Sequence, residues 1–196
     1  MDQNSFETQN TRQEKLAISL KIATPEDWKE FKKLRLEAAM GPDAKMLGID
    51  TPERLAEQQL RADPEWQKEF PLGDDRFTLF CLVQKEMVGV GSAGIIHMPK
   101  IGVCWYMHSG YVQEKFQRMG IGKKLFAGRL NEIIKRGGGR VIIAVKRDNY
   151  RSIQLAVSFG FEKLDDDYSK EGFYMALENV NDEEVIKKIK DVLNER

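Results

Sequence analysis

Apolar and polar residues alternate along residues 16–23 (Leu-Ala-Ile-Ser-Leu-Lys-Ile-Ala), and this period of two predicts a first strand. The period then lengthens. Trp28, Phe31, Leu34 and Ala38 recur at helical spacing behind Thr24-Pro25-Glu26-Asp27, a helix start with a capping side chain, a proline in the first turn and early acid. Thr51-Pro52-Glu53 and Asp63-Pro64-Glu65 repeat that recipe and predict two more starts, with Asp63 as a cap. Residues 77–83 and 87–96 read as antiparallel strands joined by the turn Gln84-Lys85-Glu86, and residues 102–112 as a further strand. A helix is expected over 123–136, with Leu125, Leu130, Ile133 and Ile134 on its apolar side and Gly137-Gly138-Gly139 ending it. The unbroken apolar run at 141–145 predicts a strand buried on both faces. A short helix over 150–159, a hairpin over 161–178 and an amphipathic helix over 182–194 complete the pattern.

This order predicts a mixed α/β sheet, mostly antiparallel, with helices on both faces. One parallel strand–helix–strand crossover, of the almost invariably right-handed kind, joins 102–112 to 141–145. Residues 1–15 are polar and aperiodic, and are expected to form a disordered tail. Residues 16–180 then form one domain, and 181–196 carry the terminal amphipathic helix, expected to pack on that domain.

Charge adds no partner. Lys plus Arg and Asp plus Glu number 31 each in 196 residues, so no global field favours nucleic acid or an anionic membrane. The aromatic residues fall mostly at core-facing positions, leaving no stacking platform for nucleic acid. No stretch approaches the roughly 20 apolar residues of a membrane span. The N-terminal residues lack the basic and apolar regions of a signal peptide. Two cysteines, Cys81 and Cys104, lie inside apolar runs, which suits buried free thiols in a reducing compartment. A cytoplasmic location is expected, and a homodimer stays open. His97, His108 and the cysteines match no zinc spacing, so no metal is expected.

The chemistry concentrates after the strand at 102–112, in Gln117-Arg118-Met119-Gly120-Ile121-Gly122-Lys123-Lys124. A helix N-terminus presents unpaired N–H groups and the positive end of its dipole. Glycines at 120 and 122 let the backbone approach an anion closely. Lys115, Arg118, Lys123 and Lys124 crowd cations around that end, where a bound polyanion would offset them. A P-loop would need glycine at Gln117 and Ser or Thr at Lys124, and a dinucleotide fingerprint would need glycine at Leu125, so neither fits.

These residues resemble the Q/R-x-x-G-x-G/A signature of the GNAT superfamily of acyl-CoA N-acyltransferases. Val112 is similar to the hydrophobic residue ending that family's fourth strand. Residues 140–145, Asn149, and Ser158-Phe159-Gly160-Phe161 continue the likeness, and Phe31-Lys32-Lys33-Leu34-Arg35-Leu36-Glu37-Ala38 resembles its first helix. The resemblance spans roughly residues 18–178. It implies a GNAT-like fold and acetyl-CoA as acyl donor, the pantetheine arm lying between two splayed strands. Tyr111 and Val112 would then bind pantetheine through their backbone. Gln117, Arg118, Met119, Gly120, Ile121 and Gly122 would form the pyrophosphate loop, with Lys123 and Lys124 nearby. Asn149 would touch pantetheine, although the same side chain is placed to cap the helix at 150–159.

The resemblance also exposes two gaps. The family often carries a glutamate six residues before the valine, where this chain has Tyr106. Its thiolate-protonating tyrosine commonly stands four residues before the Gly-Phe glycine, where this chain has Ala156. His108 is the substitute base, sharing strand parity with Tyr106 and Val112 unless a bulge intervenes near Gly110. Tyr106 would relay a proton through water, and His97 and Glu86 are weaker candidates. The expected activity is N-acetyl transfer to a primary amine, a small molecule before a protein N-terminus. The alternative is a non-catalytic acyl-CoA-binding or regulatory domain. The acceptor is expected between the first two helices, their connection at 40–62 with Met40, Asp43, Met46 and Leu47, and the segment after the strand at 141–145.

Overall fold

The computed structural model describes residues 17–42, 44–45, 52–165, 167 and 169–195. The tail expected at 1–15, the cap at Thr51, and Asp43, Met46 and Leu47 lie outside the described residues. Seven strands form one sheet in the order β1-β2-β3-β4-β5-β7-β6. They are β1 (Ile18–Ile22), β2 (Arg76–Val83), β3 (Glu86–Met98), β4 (Gly102–Val112), β5 (Val141–Lys146), β6 (Glu162–Lys163) and β7 (Gly172–Leu177). The helices are α1 (Trp28–Met40), α2 (Pro52–Leu60), α3 (Asp63–Glu69), α4 (Ile121–Lys135), α5 (Tyr150–Ser158) and α6 (Glu183–Asn194). Every pairing is antiparallel except β4 with β5. The mixed sheet and its parallel crossover are those expected.

Two apolar layers sandwich the sheet. Leu125, Leu130 and Ile133 of α4, Ala156 of α5, and Val185, Ile189 and Val192 of α6 pack against inward residues of β2, β3, β4, β5 and β7. Phe31, Leu34 and Ala38 of α1 and Trp66 of α3 cover the opposite face over Phe80, Val90 and Tyr111. The terminal helix thus buries its stripe in the domain's own core, chiefly against α4. Both cysteines are buried free thiols, and burial pushes Cys81 up to about 11.

Local chemistry accounts for the differences from the expected boundaries. The β2–β3 turn needs only two residues, because Gln84 and Lys85 both take positive φ (51° and 74°), which matches the twist of the flanking strands. Glu86 accordingly belongs to β3. Asp63 is not a cap: Ala62 holds that position, and Asp63 sits inside α3 accepting from Lys32 at 2.7 Å. α4 starts two residues earlier than expected, since Gly120 takes the left-handed conformation (φ 79°) and Ile121 is already buried in the core.

Candidate active site

The sheet has a gap at its parallel pair. β4 and β5 are in register only through Trp105–Met107 against Val141–Ile143. Beyond that, β4 follows β3 to Val112 while β5 follows β7 to Lys146, and the two diverge. The V between them opens into a cavity of about 550 Å³. His108 to Val112 line one side of it, Ala144 to Lys146 the other, and Gly122, Leu125 and Arg129 of α4 close it from one face. Backbone groups that a neighbouring strand would normally pair therefore border a cleft.

A bulge decides which side chains face each way. The β3–β4 register slips between Val90 and Ser92: Tyr111 pairs with Val90 and His108 with Ser92, so Ser109 and Gly110 both stand opposite Gly91. Ser109 takes positive φ (55°) there. The bulge anticipated near Gly110 exists, and it reverses the parity argument. Tyr106 and Tyr111 lie toward the α1 face, while Val112 turns to pack with α4. The Tyr106 and His108 rings stack with centroids 5.7 Å apart. His108 Nδ1 is 2.9 Å from Ser109 Oγ. Burial, with Arg129 and Arg35 adding repulsion, pushes His108 down to about 4, so its imidazole is neutral at physiological pH.

At the mouth of the V, the Gln117 side chain donates to the Val112 carbonyl at 3.1 Å, tying the loop to the end of β4. Arg118 (φ 63°) and Gly120 (φ 79°) turn the chain into α4. The first helical bond runs from Lys124 N–H to the Gly120 carbonyl at 3.0 Å, leaving the amides of Ile121, Gly122 and Lys123 without helical acceptors. A Cβ built on Gly122 would meet nothing within 4 Å, and Met119 is exposed. Lys123 and Lys124 point elsewhere than expected. Lys123 donates to the Glu195 carboxylate at 2.8 Å and Lys124 to the Glu195 carbonyl at 3.1 Å. Asn149 is the cap of α5, accepting from Ser152 N–H at 3.2 Å, and it also lines the cleft. Ala156 is wholly buried in the core.

Three polar groups at this site were not singled out from the sequence. Glu37 of α1 accepts from Tyr111 Oη at 3.1 Å and Gln113 Nε2 at 2.8 Å, fastening α1 to β4. Arg35 and Arg129 both line the cleft. Arg129 had a visible signal, since Leu125, Arg129 and Ile133 share one core-facing stripe of α4. Lys45 lies 3.7 Å from Asp148, linking the connection after α1 to the turn after β5. Among the described residues no group of three or more His, Cys, Asp or Glu could hold a metal ion, and no helix is long and apolar enough to cross a membrane.

Residues 44–161 match the model of the acetyltransferase (GNAT) family. No curated protein matches the chain. Among solved structures it is similar to the PaiA N-acetyltransferase from Thermoplasma acidophilum in complex with coenzyme A, at 17% identity and a TM-score of 0.64 over 83% of this chain and 99% of that one. YncA from Salmonella typhimurium with acetyl-CoA is similar at 20% identity and a TM-score of 0.59, over 83% and 94% of the two chains. A ribosomal-protein-alanine N-acetyltransferase from Brucella melitensis gives 20% and 0.58, over 82% and 99%. At these identities the likenesses establish a shared fold.

Proposed function

Because the chain belongs to the GNAT acetyltransferase family, we propose that it transfers the acetyl group of acetyl-CoA to a primary amine by direct attack on the thioester. The observation that carries this reading is the divergence of β4 from β5 beside a helix start with free amides. The pantetheine arm has the amide groups to run between the diverging strands as an inserted strand, meeting the backbone of Tyr111 and Val112. The pyrophosphate then falls at the start of α4, where the amides of Ile121, Gly122 and Lys123 and the helix dipole favour negative charge. Gln117 holds the loop to β4, and Arg118, Met119 and Gly120 shape its turn. Asn149 faces the arm while capping α5. Lys123 and Lys124 contribute positive potential from the flank.

In the reaction the amine nitrogen bonds to the thioester carbon, the C–S bond breaks, and coenzyme A leaves as its thiolate. The amine's proton goes to His108, directly or through a water held beside Tyr106. The thiolate takes its proton from solvent. A buried imidazole held near 4 is a weak base, so alignment of amine and thioester supplies most of the acceleration. A small-molecule acceptor is the first reading. The Brucella melitensis relative makes a protein N-terminus the alternative acceptor. The free thiols at Cys81 and Cys104 support a cytoplasmic location.

One observation favours a second reading. β4 carries no carboxylate and α5 has Ala156 where a phenol would serve, which suits a domain that binds acyl-CoA without turning it over. Two measurements separate the readings. Acetyl-CoA raises the melting temperature under both, because it binds only the folded state. Thiol release in the presence of an amine panel occurs under the first alone. A shift with ATP and none with acetyl-CoA rejects both.

A further inference from the structure

Among the described residues, Arg129 is a buried charge with no counter-charge. It is 7% exposed, its Nε has no hydrogen-bond partner, and its Nη1 makes one bond, to the His108 carbonyl at 3.3 Å. The ring of Phe126 lies 5.5 Å from its guanidinium. Arg35 reaches the same cleft from α1, and among the described residues neither arginine has a carboxylate within ion-pair distance. Burial pushes Arg129 down to about 10 and lowers Arg35, which Arg61 also repels. An uncompensated buried cation is strongly destabilising, and the reacting groups of an acetyl-CoA and a neutral amine bring no anion to it. Guanidinium groups are the side chains best matched to carboxylates.

We infer that the inner end of the cleft is a carboxylate subsite built by Arg129 and Arg35, so that one of the two reactants carries a carboxylate. This rests on the acyl-transfer reading above and names the substrate class. The carboxylate has two sources: the acceptor, as in an amino acid, or the acyl group, as in a dicarboxylic half-thioester.

Thiol release with matched reactants tests it. In one arm, acetyl-CoA is given L-amino acids and the amines left when their carboxyl groups are removed. In the other, a neutral amine is given succinyl-CoA or acetyl-CoA. The expected result is at least about a tenfold preference in kcat/KM for the carboxylate-bearing reactant in one arm, since a site built for a polar group discriminates strongly against its absence. Arg129→Gln and Arg35→Gln raise the KM for that reactant by a larger factor than for its neutral counterpart. No preference in either arm overturns the subsite. So does an equal loss on both reactants, which would make Arg129 a partner of the thioester. Two readouts are independent of turnover. Succinate raises the melting temperature of the coenzyme-A-loaded wild type more than that of Arg129→Gln, and an equal shift in both rejects the site. Arg129→Met leaves the ligand-free protein at least as stable as wild type, whereas a structural arginine would destabilise it when removed. Failure of acetyl-CoA itself to raise the melting temperature rejects the acyl-transfer reading instead.

Discussion

Arg129 occupies the space that a side chain on Gly91 would take. A Cβ built on Gly91 would lie 2.9 Å from Arg129 Cδ and Nε. Gly91 is also the β3 residue that the bulge leaves opposite Ser109 and Gly110. The bulge, the glycine and the buried guanidinium therefore form one arrangement, in which β3 makes room for a cation inserted from α4. Gly91→Ala should force the guanidinium out of place at a cost of about 1–3 kcal/mol, the usual range for overpacking. In an Arg129→Ala background the same change should cost almost nothing. Urea denaturation of the two single variants and the double variant gives the coupling. Additive effects would mean that the two residues do not compete for this space.

His108 makes stability depend on pH with a defined sign. Its imidazole stays neutral in the folded protein down to about 4, while the unfolded chain binds a proton below about 6.5. Between those values the unfolded state holds more protons, so stability rises with pH across the window. The contribution is complete above about 6.5 and is lost as pH falls toward 4, on the order of 3 kcal/mol in all. Relative to wild type, His108→Asn should lose less stability between neutral pH and about pH 4.5. Parallel stability–pH curves for the two proteins would reject the assignment.

The order of elements, the parallel crossover and the position of the loop were legible because they rest on periodicity and punctuation. Alternation set β1, runs on either side of a turn set β2 and β3, the unbroken apolar run set β5, and glycines marked the start and end of α4. The division of labour within the site was less legible. Strand parity carries side-chain direction only until a residue is inserted, and one extra residue at Ser109–Gly110 turned Val112 to the other face. Lys123 and Lys124 are on the expected turn, yet their partner is Glu195, more than 70 positions away, and no local pattern encodes that contact. Arg129 was the readable exception: an arginine between Leu125 and Ile133 on a core stripe either pairs or serves a ligand.

Asn149 is asked to serve two roles that separate by substitution. Its side chain caps α5 through Ser152 N–H. Asn149→Ala should remove the cap and cost about 1 kcal/mol, whereas Asn149→Ser and Asn149→Asp keep a capping oxygen and should stay within a few tenths of wild type. Coenzyme A affinity, measured by calorimetry, then isolates the other role. If Asn149 meets the pantetheine arm through its amide, the serine and aspartate variants bind more weakly despite their stability. Wild-type affinity in both would leave Asn149 as a cap alone.

Gly122 gives a test in which folding and binding move in opposite directions. It lies in the first turn of α4 and lines the cleft, and a Cβ there meets no atom within 4 Å. Nothing in the ligand-free fold requires glycine at this position. Glycine inside a helix is less favourable than alanine by roughly 0.5–1 kcal/mol, so Gly122→Ala should leave the protein unchanged or slightly more stable. The proposed pyrophosphate approaches that same backbone, whose amide has no helical acceptor, and a methyl group would hold it off. The expected outcome is a melting temperature equal to or above wild type without ligand, together with at least about a tenfold weaker coenzyme A dissociation constant, equivalent to about 1.4 kcal/mol. Gly122→Val should widen the loss. A variant with full coenzyme A affinity would show that the anion is held away from the start of α4, and the phosphate end of the donor would have to be placed elsewhere along the cleft.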